Sequence, residues 1–332
     1  MKLKAFYISI ILIICACSPV CSQVSETDVL QQFNTLYKDV EHTDSAIYYK
    51  AYVDFGNCTV EYFINDVLIY RNDICYDSEN DLLTMEAVMS LEIDINDFIL
   101  YPGKQTWELR VHPPYLLDTD KRLAALPEKS RMEFSIYSYG KAYKYLGETT
   151  LFETPLRVGT DGKEIFADAG KPYISYTGTF DAEVPYTLTG WSESEDLTKI
   201  APEELKTMLV NEYESLGKLI QKGDMEQSLE KIFKSEKDRA QYRFYDKEKN
   251  SLRSEEIKAM WGNPEQRVQP LENYEMIIGG NGRLVTLQCS DRFMWGEPAL
   301  MSLYPEDGGE TYRMFRLFFH MPKGGSELEL IR

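Results

Sequence analysis

Three polar side chains spaced four apart, Tyr312, Arg316 and His320, are the residues of this chain best placed to do chemistry. On one continuous strand over residues 312–321 they share a side with Met314 and Phe318, because side chains alternate between faces. If that side lines a pocket, Arg316 can fix an anion or a carboxylate and His320 can act as acid or base. The plainer alternative, and the favoured one, is a solvent-facing side on which Arg316 and His320 are ordinary surface polars. Two other groupings carry less. Asp291 and Arg292 beside Trp295 read as a solvated hairpin end. Asp77, Glu79 and Asp81 alternate as in a calcium loop, but the turn glycine and the closing bidentate glutamate are missing, so an acidic loop is the better reading. The mature chain has no G-x-S-x-G, H-E-x-x-H, phosphate loop, dinucleotide fingerprint or C-x-x-C. With 3 His in all, no catalytic residue, metal ligand or cofactor is assigned. The chain reads as a binding protein rather than an enzyme.

Charge narrows the partners. Lys and Arg number 36 against 54 Asp and Glu, a formal net charge of -18. Such a field repels phosphate backbones and anionic lipid, which removes nucleic acid and basic membrane docking. The 332 residues suffice for two domains with separate cores, and 43% hydrophobic content excludes a disordered chain. The 23 Tyr and 4 Trp would suit stacking on sugars, although strand-rich domains carry such aromatics anyway.

Residues 1–22 read as an export signal: Lys2 and Lys4 precede an apolar run over 6–14 that is too short to span a bilayer. Two processing sites are open. Val20-Cys21-Ser22 suits signal peptidase, whereas Ile14-Cys15-Ala16-Cys17 resembles a bacterial lipobox, which implies Cys17 as a lipidated first residue and the only membrane attachment. In an oxidising compartment Cys58 and Cys75 are the expected disulfide. A hairpin turning at Asn65-Asp66 pairs numbers summing to 131 and sets Cys58 opposite Asp73, so Cys75 reaches Cys58 if the turn is longer or bulged. Cys289 reads as a buried small hydrophobe.

The elements that must position these residues follow from periodicity. A helix from Thr27 carries Val29, Leu30, Phe33, Leu36, Tyr37 and Val40, and is expected to pack against the sheet that follows. From Ala46 the period becomes two, at Ile47 to Phe55, Met89 to Ile95, Trp107 to Val111 and Met132 to Ile136, which predicts an antiparallel β-sandwich over 23–196. The run Tyr62-Phe63-Ile64-Asn65-Asp66-Val67-Leu68-Ile69-Tyr70, with the Pro102-Gly103 turn between strands over 95–111, resembles jelly-roll or galactose-binding-like sandwiches. Asp66 stands where glycine is usual. That resemblance implies a scaffold able to bind sugars or proteins.

A polar, acidic linker over 192–201 leads to a second domain over 199–332. Pro202 opens a helix closed by Gly223, Asp224 opens a second and Ser254 a third. Asn281-Gly282 then marks a hairpin with Tyr274 opposite Cys289, Met276 opposite Leu287 and Ile278 opposite Val285. Strands over 299–304, 311–321 and 327–331 complete it. Three helices followed by a curved antiparallel sheet resembles the NTF2-like (cystatin-like) fold, which implies a cone-shaped pocket between sheet and first helix. The fold class expected is α+β. The function expected is an exported, non-enzymatic binding protein in the periplasm, anchored at the outer membrane or secreted. Its partner is a protein or a glycan of the cell envelope, one version being an immunity protein that neutralises a basic effector. The competing reading is a small-molecule carrier or enzyme using the second-domain pocket.

Overall fold

In β1 (Tyr48–Gly56), Ala51, Val53 and Phe55 are fully buried while Lys50, Tyr52 and Asp54 between them are half-buried, the signature of a strand with one face on a core. The computed structural model describes residues 26–72, 75–76, 88–116, 121–291, 294–306 and 309–332. The export signal with Cys17, the acidic loop of Asp77, Glu79 and Asp81, and Arg292 lie outside these residues. The strands that follow are β2 (Thr59–Ile64), β3 (Val67–Asn72), β4 (Cys75–Tyr76), β5 (Val88–Asp94), β6 (Gly103–His112) and β7 (Tyr115–Leu116). Next come β8 (Arg131–Tyr139), β9 (Tyr145–Glu153), β10 (Leu156–Val158), β11 (Glu164–Phe166) and β12 (Ile174–Ala182). Two four-stranded antiparallel sheets, ordered β5-β1-β8-β9 and β12-β6-β2-β3, form a sandwich. Their inner faces meet ring on ring: the Phe134 centroid lies 5.0 Å from that of Tyr62 and 5.7 Å from that of Trp107, and Phe152 lies 4.3 Å from Tyr176.

The β2–β3 hairpin turns at Asn65 and Asp66, both left-handed at φ 51° and 61°. Its register begins as expected, Ile64 with Val67 and Phe63 with Leu68, then slips at a bulge so that Tyr62 faces Tyr70 and Val60 faces Asn72. The slip shifts the pairing beyond Phe63 by one residue on β3. The expected bridge to Cys75 is not made: Cys58 is a free, fully buried thiol whose Sγ lies 3.6 Å from the Arg131 carbonyl. Burial pushes its pKa up to about 12, which suppresses the thiolate. The backbone of Cys75 pairs instead with Tyr115.

The leading helix also departs from expectation. α1 (Glu26–Phe33) and the 3₁₀ turn Leu36–Asp39 put Val29, Phe33 and Leu36 into the core of the C-terminal half, not the sandwich. The buried Asn250 amide holds them there, donating to the Phe33 carbonyl at 3.1 Å and accepting from the Tyr37 N–H at 3.0 Å.

Three helices follow: α2 (Pro202–Lys222), α3 (Met225–Tyr242) and α4 (Lys247–Trp261). Gly223, at φ 63°, closes α2, where a Cβ would meet the Pro264 nitrogen at 2.9 Å. α4 starts at Lys247 rather than Ser254, because Asp246 accepts the Lys249 N–H at 2.9 Å and caps the helix earlier. The remaining strands are β13 (Arg267–Val268), β14 (Tyr274–Gly279), β15 (Leu284–Cys289), β16 (Leu300–Glu306), β17 (Gly309–Phe315), β18 (Phe319–His320) and β19 (Glu329–Leu330). They form two antiparallel sheets, β13-β16-β17 and β14-β15-β18-β19. The β14–β15 register pairs Tyr274 with Cys289, Met276 with Leu287 and Ile278 with Val285, as the Asn281-Gly282 turn predicts. The fold is α+β. Among the described residues no helix is long and apolar enough to cross a membrane.

Expected as one strand, residues 311–321 are two. β17 pairs with β16, whereas β18 pairs with β15 and β19, and residues 316–318 between them leave the ladder. A side chain accounts for the break. The fully buried Tyr213 hydroxyl of α2 accepts the Leu287 N–H at 3.0 Å and reaches the Leu317 carbonyl at 3.2 Å, bridging groups that would otherwise need strand partners.

The sandwich and the helical half meet along a dense seam. Phe98 packs edge-on to Phe318 at 5.9 Å, and Phe244 sits against Tyr48 and Tyr186. The two hairpin tips interlock: the Asp66 carbonyl accepts the Gly280 N–H at 2.8 Å and its carboxylate the Asn281 N–H at 2.7 Å. A Cβ at Gly279 would lie 2.6 Å from the Asp66 carbonyl oxygen. Residues 192–201, expected as a free linker, are docked as well, with Leu197 fully buried and the Glu195 N–H on the Met321 carbonyl at 2.9 Å.

Candidate functional site

The break at 316–318 separates the three residues singled out by spacing. Tyr312, on β17, is 56% exposed. His320, on β18, is buried between residue Ser194 and α3. Arg316 falls in the break itself, and its Nη1 donates to the Ile69 carbonyl of the sandwich at 2.8 Å. The three do not form one site.

His320 belongs to a polar string. Its Nδ1 lies 2.6 Å from Ser194 Oγ and its Nε2 3.2 Å from Lys234 Nζ, which also donates to Glu329 at 3.0 Å. An ammonium only donates, so Nε2 accepts and Nδ1 carries the proton toward Ser194. The ring therefore cannot take a proton from that serine through Nδ1, and the string is a clasp between the 192–201 segment, β18 and α3. Burial, followed by the Lys234 charge, lowers the His320 pKa to about 4, with Glu329 opposing. A base this weak is poorly suited to catalysis near neutral pH.

Arg316 instead faces a cavity of about 150 Å³ at the seam between sandwich and helices. From α3 come Ile232, Ser235, Glu236, Arg239 and Tyr242, on one face of the helix, and from α4 come Arg253, Met260 and Trp261. The break supplies Phe315, Arg316, Leu317 and Phe318, and the C-terminal strand region supplies Leu330 and Arg332. Asp97 and Phe98 are the sandwich's contribution. Their turn after β5 is pinned by Asn96, whose side chain accepts the Tyr49 N–H at 2.6 Å and donates to the Ile47 carbonyl at 3.0 Å. The break is pinned by the Phe318 N–H on the Arg332 carbonyl at 2.8 Å.

The electrostatics of this wall are uneven. The buried Glu236 takes both Nε, at 3.0 Å, and Nη2 of Arg253 in a two-point pair. The pair raises the Arg253 pKa against the opposing effect of burial. Arg332 is held by Asp238 at 2.8 Å and stacks between the Trp191 and Tyr242 rings, 5.1 Å from each centroid. Arg243, just outside the wall, pairs with Asp94 and Asp97 at 2.7 Å each, leaving Arg239 a longer contact of 3.9 Å to Asp97. Among the described residues Arg316 meets no carboxylate. Burial pushes its guanidinium below the ordinary value, with the Glu297 and Asp97 charges opposing. Arg316 is itself exposed, so part of its surface meets solvent as well as the cavity. The lining thus holds Arg239, Arg253, Arg316 and Arg332 against Asp97 and Glu236, an excess of cations in a strongly acidic protein, which favours an anion nearby.

Of the other expected groupings, Trp295 stacks on Arg71 at 4.3 Å and donates to Glu275 at 3.2 Å. Arg71 in turn reaches Glu275 at 2.6 Å, so this cluster ties the sandwich to β14. Cys289 is buried with its Sγ 3.6 Å from the Pro298 carbonyl, and burial raises its pKa. Among the described residues no group of His, Cys, Asp and Glu is placed to hold a metal ion. Sequence reasoning missed Asp97, Arg239, Arg253 and Arg332. Glu236, Arg239 and Arg243 do recur at helical spacing, a signal that was there to find. Asp97 and Arg332 had none, since the sites they join are far apart in the chain. Compared with protein-family models, with curated proteins and with solved structures, the chain matches none.

Proposed function

We propose that the chain is an exported, non-enzymatic binding protein whose ligand is a small anion held in the arginine-lined cavity. The observation that carries this reading is the excess of arginines on the cavity wall: Arg239, Arg253, Arg316 and Arg332 stand against Asp97 and Glu236, and an anion that binds beside them is favoured by that charge. Export rests on the character of residues 1–22. A thermal-shift panel of small carboxylates, phosphate and sulfate is the test. At least one is expected to raise the melting temperature by a few degrees in the wild type and not in Arg316→Gln. No stabilisation by any of them would remove the reading. Export is checked by fractionation, with the mature chain expected outside the cytoplasm, and by fatty-acid labelling that is lost in Cys17→Ala if that residue carries the lipid.

A second reading keeps a glycan partner on the sandwich. Tyr52, Tyr137, Tyr139 and Tyr145 lie in ring contact across β1, β8 and β9, with centroids 5.8 to 6.3 Å apart, among Asp54, Glu92, Glu133 and Glu148. Rings and carboxylates together suit neutral sugars. Glycan-array binding that is lost in Tyr137→Ala is the expected result, and an empty array would count against it.

A further inference from the structure

A second concavity, which shares no lining residue with the arginine cavity, runs along the flank of α2. It is an open groove of about 530 Å³ between that helix and the extended segment 268–271, with Leu300 of β16 at its floor. A volume of this order is what small-molecule sites offer. Two rows of α2 line it: Tyr213, Gly217 and Gln221, spaced four apart, form the inner wall, and Glu214, Lys218 and Lys222 form the exposed rim. The opposite wall is held in place without a ligand. The Gln221 amide bridges helix and strand, accepting the Val268 N–H at 2.9 Å and donating to the Gln266 carbonyl at 3.1 Å, and the Gln269 N–H sits on the Met301 carbonyl at 2.8 Å.

Gly217 points to an occupant. It stands in mid-helix, where glycine is costly relative to alanine. Its φ is not left-handed, and a Cβ there would lie 3.4 Å from Val268 Cγ1 and 3.6 Å from Leu300 Cδ1, ordinary contact distances. Neither the backbone nor a clash requires glycine, so the centre of the groove is left open where a side chain would fill it. Charge and length give the chemistry of what fits. Tyr213, Val268, Pro270, Leu271 and Leu300 make the lining mainly apolar. On the rim Lys218 and Lys222 stand against Glu214 alone, and Glu214 meets Lys218 at 3.5 Å, so Lys222 is the surplus at one end. In a protein of net charge -18, a cationic rim beside an apolar floor complements an anionic head on an apolar tail. From Tyr213 to Lys222 the helix advances about 13 Å, which makes the groove elongated rather than round.

We propose that this groove binds one medium-chain fatty-acid anion, with its carboxylate at the Lys222 end and its tail lying over Gly217 toward Tyr213. The tail displaces water from apolar wall, and the head stays at the rim, where it keeps its contact with solvent. The site is separate from the arginine cavity and stands whether or not that cavity takes an anion.

Calorimetry of the full chain with sodium decanoate, kept below the concentration at which it forms micelles, tests this, with 1-decanol as the uncharged comparison. Decanoate is expected to bind one per chain, and decanol at least about tenfold more weakly. Gly217→Leu, which fills the floor, is expected to weaken decanoate by a similar factor. Because that variant could disturb packing against Val268 and Leu300, Lys222→Glu is the second: the position is exposed, and reversing its charge should weaken decanoate as much. Arg316→Gln is expected to leave decanoate binding unchanged, which keeps this result apart from that of the anion panel. No heat with decanoate, or undiminished binding in folded Gly217→Leu or in Lys222→Glu, would overturn the proposal. Loss of binding in Arg316→Gln would move the ligand to the arginine cavity and overturn it too. Decanol binding as tightly as decanoate would remove the anionic head. A chain that sediments as a dimer, and as a monomer in Lys222→Glu, would give the groove to a second copy instead.

Discussion

Arg316 and His320 show how much a side chain's surroundings decide. Four residues apart, they would share one strand face, but the break at 316–318 sends one to a cavity and the other into a buried clasp. For His320 the consequence is measurable. Its folded pKa of about 4 lies below the ordinary 6.5. Above pH 6.5 the ring is neutral in both states; as pH falls from there toward 4 the unfolded chain takes up a proton that the folded one refuses, and stability drops. The linked loss approaches roughly 3 kcal/mol. Urea unfolding of wild type and His320→Gln between pH 7 and 5 should show a steeper fall in the wild type. Parallel curves would mean the ring is not held neutral. Cys58 behaves consistently with this picture: buried and fixed by a bulged register, it should react with thiol reagents only on unfolding.

At the scale of elements, one hydroxyl holds three. Tyr213 Oη joins α2 to the Leu287 N–H of β15 and to the Leu317 carbonyl in the break. Tyr213→Phe keeps the ring in its packing against Phe319 but leaves those backbone groups without their partner. A loss of about 1–3 kcal/mol is expected in denaturant unfolding, with the cavity loosened because the break is part of its wall. A change below about 0.5 kcal/mol would mean water replaces the hydroxyl. The hairpin tips teach a related point. Asp66 stands where a turn glycine is usual, and the structure supplies a reason: its carboxylate accepts the Asn281 N–H across the seam.

For the whole molecule, the question is whether two cores make two folding units. The sandwich cluster contains Tyr242, Phe244, Phe318 and Ile331 from the C-terminal half, and the helical cluster contains Val29, Phe33 and Leu36 from the N-terminal end. Each half lends side chains to the other, so calorimetric unfolding is expected as one transition. Two resolved transitions would show the seam to be weak. Asp97 is the sandwich's anchor in the seam, with its carboxylate on Arg243 at 2.7 Å and its carbonyl on Arg332 Nε at 2.9 Å. Asp97→Ala deprives Arg243 and Arg239 of a carboxylate in a buried setting. The expected cost is about 3 kcal/mol, and the measurement is the shift in the same calorimetric transition.

Local periodicity was enough to read the strands of β1, β6 and β8, the two hairpin turns, the start and end of α2 and the α+β class, because a period of two, a left-handed turn pair and a glycine cap act over a few residues. The α1 stripe was equally legible, but which core it fills depends on Asn250, more than two hundred residues away. The long strand failed for the same reason: nothing between Tyr312 and Met321 announces that a tyrosine on α2 will take over its hydrogen bonds. The candidate site is the extreme case. Arg316 was visible as one of a polar set with Tyr312 and His320, yet the cavity beside it and its companions Asp97, Arg239, Arg253 and Arg332 exist only once the sandwich closes on the helices. Burial and charge pairing are sums over neighbours in space, and neighbours in space are what the folded chain alone decides.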